Sequence, residues 1–235
     1  MAESTDREAF LAGASHDCRG CDLRDVGLKR RDLRNADLTG ADLTGAVLHA
    51  ARLTNAKLDH AKLRDANLNE ADMKRASLIG ADLTGALLYG TDLSGAVLEG
   101  ATITEAHMAH SRLTRAMLHG ADFSLTTLTN AEMADTDLSQ ATLRRSNLSE
   151  SNLSRCDLTS ARADGAGFVR ARLPDAKLRD ISATRADFYQ ANLAGSDLTD
   201  GDFRASRLER ADLTGAITTG MKTKGAVLVD GTIGQ

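Results

Sequence analysis

The sequence predicts an all-β solenoid, a chain of very short strands and bends wound around an axis of leucine and alanine side chains. Three observations predict it. Counting in fives from Leu23 to Ile233 gives 43 positions, and 39 of them are Leu, Ile, Met or Phe, so one register runs through nearly the whole chain. Two residues upstream of these centres, 39 of the 43 positions hold Ala, Ser, Thr, Gly or Cys, so almost every large apolar side chain has a small companion. Between the two stands Asp or Asn in many units, and two polar or glycine residues follow the centre. The exceptions at the centre are Ala163, Ala183, Thr218 and Thr223; those at the small position are Val26, Arg31, Ile181 and Met221. A period of this kind decides the architecture before any single residue does.

A helix fails the period. Five residues at about 100° each leave successive centres roughly 140° apart, so no single face is buried. A strand satisfies it locally, because residues two apart point the same way and the Asp or Asn between them points out. The two remaining residues have the composition of a corner. Glycines such as Gly40, Gly45, Gly80 and Gly85 fall at the second corner position, where a positive φ is tolerated.

Units such as Ala36-Asp37-Leu38-Thr39-Gly40 and Ala81-Asp82-Leu83-Thr84-Gly85 resemble the A-(D/N)-L-X-X motif of the pentapeptide-repeat family. The resemblance covers most of the chain. It implies a right-handed quadrilateral parallel β-helix with four pentapeptides per coil, hence about ten to eleven coils and a rod roughly 50 Å long at about 4.8 Å per coil. Four sides also suit the undersized centres. Ala163 and Ala183 are each followed one unit later by Phe168 and Phe188, so in a 20-residue coil the pairs stack and rings fill the space that alanines leave.

At the N-terminus, Thr5-Asp6-Arg7-Glu8 has capping-box spacing ahead of Ala9, Phe10 and Leu11, which predicts a short helix over Thr5 to Gly13 that covers the first coil. The expected organisation is a cap at 1–20 and a β-helix at 21–235. No equivalent plug is evident at the C-terminus, where Met221, Val227, Val229 and Ile233 predict an end open to a partner, with end-to-end homodimerisation as the preferred form. No apolar run approaches the ~18 residues of a membrane span. The charged start has no signal-peptide core, so a cytoplasmic protein is expected.

Candidate chemistry is sparse. Cys18 and Cys21 have the spacing of metal or redox motifs, but no second such pair completes a zinc site. Both cysteines and Cys156 fall in phase with the repeat, so small buried core residues are expected. The six histidines, His16, His49, His60, His107, His110 and His119, are expected as solvated surface groups. The aspartates recur in ladders rather than as one convergent pair, and nothing resembles a nucleophile with its base. The expectation is a non-enzymatic protein without metal or cofactor. A net charge of −4, short basic clusters and no aromatic platform argue against direct nucleic-acid binding.

Four-sided winding sorts the outward residues. Three faces are close to neutral. The face of Leu38 and Leu58 carries Asp37, Asp59, Glu99, Asp137, Asp157, Asp180, Asp197 and Asp200 against Lys57, Lys177 and Arg179, eight acids against three bases. The face of Leu28 and Leu48 carries Val47, Leu87, Tyr89, Val169 and Tyr189, the pattern of a protein contact. The first expectation is a bacterial interaction scaffold that binds an unidentified protein partner through a flat face or its C-terminal end. The alternative comes from the resemblance. Some bacterial pentapeptide-repeat proteins imitate DNA, bind gyrase and protect it from quinolones or peptide toxins, which would make the acidic face a topoisomerase-binding surface. This chain departs from those proteins in having mostly Leu centres, Ala at the small positions, and no interrupting loop.

Overall fold

The computed structural model describes residues 2–235, with side chains from Asp6 onward. A helix, α1 (Ala2–Ala12), leads into one continuous β-helix. Parallel bridges link each residue before a centre to the residue 20 positions on, from Asp17↔Asp37 to Arg207↔Val227 without a break. Four pentapeptides therefore make one coil. The strands are single bridges rather than extended ladders of residues, because a corner interrupts every unit.

Nearly every corner is a turn closed by the small residue's N–H donating to the preceding centre's carbonyl, as in Ala36 N to Leu33 O at 3.1 Å and Ala96 N to Leu93 O at 2.9 Å. The second corner residue takes a positive φ on every unit from Gly20 to Gly225. Glycine holds it freely, and Asp25 (57°), His60 (57°), Leu125 (61°) and Arg145 (53°) adopt it as well. The left-handed conformation is disfavoured for residues with a Cβ. It persists because backbone bonds to neighbouring coils hold these corners, for example Asp25 N to Thr44 O at 3.0 Å. The recurrent Asp or Asn also has a local job. Its carboxylate or amide oxygen accepts the N–H two residues on, as in Thr44 N to Asp42 Oδ1 at 3.2 Å and Asn69 N to Asn67 Oδ1 at 3.1 Å. That bond is an Asx turn, and it fixes the bend.

The core is a stack of Leu and Ala columns with essentially no solvent exposure from Leu23 to Leu208. Where Ser or Thr takes the small position, its hydroxyl mostly donates to a nearby carbonyl, as in Thr126 Oγ1 to Ile103 O and Ser196 Oγ to Leu193 O, both 2.6 Å. The undersized centres are filled as the four-sided reading expects. Phe168 stacks on Phe188 with centroids 4.6 Å apart and planes 3° from parallel, and Phe203 tilts against Phe188 at 5.5 Å. Ile181, too large for its position, sits beside the undersized Ala183, and Gly201 on the next coil completes the exchange. A Cβ there would lie 2.7 Å from the Phe203 ring and 3.2 Å from Ile181.

Several expectations about the ends need correction. The helix begins at Ala2, so Thr5 lies within it rather than capping it. Its C-terminal end is closed by Gly13 (φ 79°), whose N–H reaches Phe10 O, and by Arg31, whose Nη2 reaches Phe10 O at 3.1 Å and Leu11 O at 2.6 Å. Arg31 breaks the small-residue rule because it serves the helix. The ladder starts at Asp17, so coiling begins inside the 1–20 segment. Cys18 and Cys21 are buried as expected, but they are joined as a disulfide across the first corner. At the other end the register stops at Leu228. Ile233, in phase by sequence, instead forms an antiparallel bridge with Val227 and is 62% exposed. This return segment pairs Gly225 N with Gly234 O, Leu228 N with Thr232 O and Gly234 N with Ala226 O. The end is thus covered on one side rather than bare.

Candidate interaction faces

The acidic residues on the Leu38 face are mostly committed to the fold. Asp37, Asp137, Asp157 and Asp197 accept the N–H of Thr39, Ser139, Thr159 and Thr199 at 2.9–3.2 Å. Three are also ion-paired along the rod: Asp37 with Lys57 at 3.8 Å, Asp157 with Lys177 at 3.1 Å and Asp197 with Arg179 at 3.3 Å. Hydrogen bonds from the Thr199 hydroxyl and N–H hold the Asp197 carboxyl below the usual range. Asp59 accepts from Ser77 Oγ and Ile79 N on the next coil. Glu99 and Asp200 project from the corners and make no ion pair among the described residues. The face is also not uniformly acidic. Ile79 and Met117, 39% and 44% exposed, lie between the Asp37–Asp59 and Asp137–Asp200 groups.

On the Leu28 face, Val47 and Leu87 stand two rungs apart on one ladder, with Asn67 between them, and Tyr89 is 50% exposed beside Leu87. The Tyr89 ring meets the edge of His110 at 5.4 Å. Val169 and Tyr189 are half-buried on later coils. Tyr189 is covered rather than free: Arg207 lies 4.0 Å above its ring and Arg210 Nη1 donates to its hydroxyl at 3.1 Å. The apolar face therefore divides into an open part near Leu87 and a part occupied by arginines.

At the C-terminal coil, Met221 and Val227 are half-buried and Val229 is exposed. Leu213, Met221, Leu228 and Val229 line a recess of about 260 Å³ with Thr218 and Thr223. The N–H groups of Leu213, Thr218 and Thr223 meet no backbone acceptor among the described residues.

The remaining candidates form no reactive constellation. His119 Nδ1 lies 2.9 Å from Ser139 Oγ and His49 lies 4.0 Å from Glu70. No group of three metal-binding side chains occurs among the described residues. Burial pushes the Cys156 thiol far up, so it stays protonated. Among the described residues, no helix is long and apolar enough to cross a membrane.

A family model described as pentapeptide repeats matches in eight copies, over residues 21–59, 51–90, 91–130, 106–145, 141–180 and 176–220. Among solved structures, the chain is 32% identical to HetL, a pentapeptide repeat protein involved in heterocyst differentiation regulation from the cyanobacterium Nostoc sp. strain PCC 7120. That match covers 97% of both chains, with a TM-score of 0.43. It is 16% identical to QnrB1, a plasmid-mediated fluoroquinolone resistance protein, over 73% of this chain and 86% of that one, with a TM-score of 0.50. This second likeness concerns the fold alone, a right-handed β-helix. A pentapeptide repeat protein of the Arabidopsis thaliana thylakoid lumen is 29% identical over 40% of this chain and 68% of its own, with a TM-score of 0.34. None of the curated proteins compared with the chain matches it.

Proposed function

The chain belongs to the pentapeptide-repeat family, and from that premise we propose that it is a non-enzymatic, cytoplasmic interaction scaffold that presents a protein-binding surface on a stiff rod. The observation that carries this reading is the open patch of Leu87 and Tyr89 on the Leu28 face. A half-exposed tyrosine beside an exposed leucine on a flat, lightly charged β-face has the composition of an interface core, where aromatic anchors dominate the energy. Most carboxylates of the Leu38 face, by contrast, are tied into turns and ion pairs. The C-terminal recess around Met221 and Val229 offers a second docking point of the same apolar kind, suited to a second copy or a partner. In a capture experiment from the native cytosol, Leu87→Asp/Tyr89→Asp is expected to lose the partners that the parent chain retains, with an unchanged melting temperature. Retention of every partner by this variant sinks the reading for that face.

A second reading is supported by the concentration of Asp137, Asp157, Asp180, Asp197 and Asp200 on one stretch of the Leu38 face. It makes the protein a DNA mimic that binds gyrase or another type II topoisomerase. Duplex DNA carries about one charge per 1.7 Å, so a face at eight acids against three bases imitates it only locally. Gyrase supercoiling, measured with and without a fluoroquinolone, tests it. Inhibition or drug protection that disappears in Asp137→Lys/Asp157→Lys supports this reading, and no effect at micromolar protein retires it for gyrase.

A further inference from the structure

The Leu23 face is nearly neutral as a whole and strongly polarised along its length. Residues 21–125 contribute seven acids against three bases, net −4, whereas residues 141–225 contribute seven bases against two acids, net +5. The polarity is sharpest at the corner row that this face shares with the Leu28 face. Successive coils place there Asp25, Gly45, Asp65, Gly85, Glu105, Leu125, Arg145, Gly165, Arg185 and Ala205, with Lys224 beside Gly225 on the last coil. Acids alternate with glycine up to Leu125, and bases alternate with small residues beyond it. The glycines leave room for the charged side chains to lie flat along the row. A Cβ at Gly45 or Gly85 would collide with the carboxylate of Asp25 or Asp65, and one at Gly165 would come within 3.5 Å of Arg145 Cγ. These charges are also unspent. Asp25, Asp65, Glu105, Arg145, Arg185 and Lys224 make no ion pair within 4.0 Å among the described residues, although many acids elsewhere on the rod do.

Leu125 stands at the point where the sign changes. It is 51% exposed and holds φ at 61°, a conformation that is strained for leucine and that glycine holds freely on the neighbouring coils. Neither burial nor corner geometry calls for a leucine there.

We infer that the Leu23–Leu28 corner is the interface of a side-by-side antiparallel homodimer whose two-fold axis passes through Leu125. A surface that contacts its own copy across a two-fold axis must be complementary to itself under reversal. This row meets that condition, with Lys224 beside Gly225 supplying the charge at the last coil. Reversal about Leu125 sets Glu105 against Arg145, Asp65 against Arg185 and Asp25 against Lys224 of the second copy. Gly85 then meets Gly165, and the two Leu125 side chains meet each other. A single anionic or cationic partner would be repelled by one half of the row, so a second copy is the occupant whose charge pattern fits all of it. The ladder from Asp22 to Lys222 extends about 48 Å at about 4.8 Å per rung. A strip of that length and about 12 Å wide buries on the order of 600 Å² per copy, at the low end for a specific interface. Association is accordingly weak, with steering by charge and loss in salt. This dimer differs from end-to-end docking at the C-terminal coil, and it leaves the Leu33 and Leu38 faces uncovered.

Sedimentation equilibrium at low and high salt tests the inference. The parent chain is expected to dimerise at low salt, and Glu105→Arg or Arg145→Glu alone is expected to weaken the dimer at least about tenfold, since each reversal acts twice across the axis. Glu105→Arg/Arg145→Glu in one chain, and an equimolar mixture of the two single variants, are expected to restore it. Leu125→Gly is expected to raise the melting temperature of the monomer while weakening association, a combination that a purely structural role does not produce. All these side chains are exposed at corners, so folding is retained and checked by unchanged circular dichroism. A parent chain that stays monomeric at about a hundred micromolar overturns the inference, as does a dimer indifferent to both reversals but abolished by Met221→Asp.

Discussion

The two ends of the rod solve the same problem in different ways. A β-helix stops with a coil whose backbone groups and apolar columns lack a neighbour. At the first coil, α1 places Phe10 at 2% exposure over the columns, Arg31 holds the helix carbonyls and the Cys18–Cys21 disulfide closes the first corner. At the last coil, a short antiparallel return covers one side only, and Leu213, Ala216 and Met221 remain half-exposed. The centres there are softened to Thr218 and Thr223, which lowers the apolar area left open. One end is closed by added structure, and the other tolerates exposure by weakening its own core.

That contrast can be broken or sharpened, beginning with its largest component. Phe10→Ala is expected to destabilise the N-terminal coils by about 3–5 kcal/mol, the usual range for a buried ring, whereas Leu213→Ala costs less than about 1 kcal/mol because its site is already open. Hydrogen exchange resolved by coil reads both, since stability in a repeat array is local and passes from neighbour to neighbour. Next, reducing the disulfide opens a four-residue loop, which chain-entropy arguments value at roughly 2 kcal/mol. Faster exchange confined to the first coils is the expected result, and uniform loss along the rod would contradict it. Arg31→Ala removes two hydrogen bonds to α1 and is expected to cost about 1 kcal/mol, the charge-assisted value reduced by partial solvent access. Helix signal lost at lower temperature than the β signal would show it.

The smallest separation between the ends lies in their response to acid. Near the first coil, Arg34 holds the Asp32 carboxyl at about 2, and near the last, the Thr214 hydroxyl and N–H hold Asp212 below its usual range. Both carboxyls bind protons more weakly folded than unfolded. Their contribution is therefore complete above the unfolded value of 3.8 and is lost as pH falls toward about 2. Thermal melting is expected to be flat from neutral pH to about pH 5 and to fall below about pH 4. A decline already present at pH 6 would point to other groups.

The centre and small columns were legible because burial imposes a strict alternation that composition alone reveals. Even their violations carried information: Ala163 and Ala183 announced the Phe168–Phe188 stack, whereas Arg31 and Ile181 needed the helix and Gly201 in place before they made sense. The Asp and Asn recurrence was visible as a preference and invisible as a turn, since its cause is a bond to the backbone two residues on. The faces were legible only in part. Summing charge over a whole face identified the Leu38 acids, most of which the fold consumes, and hid the reversal of sign along the Leu23 face. The Cys18–Cys21 bond had a signal in its spacing, but phase with the repeat suggested a simpler role.

The bridge spacing of 20 residues, set against a core period of five, also constrains how such a chain can change length. Any insertion wound into the coil, other than a multiple of five, throws every downstream leucine out of the core. Five extra residues keep the core intact and turn all later faces by a quarter revolution, so that Arg145 and Arg185 would leave the row of Asp65 and Glu105. Only whole coils can be added or removed without scrambling the surface. Duplication in steps of 20 residues is thus the one route by which this rod can grow and keep each of its four sides recognisable.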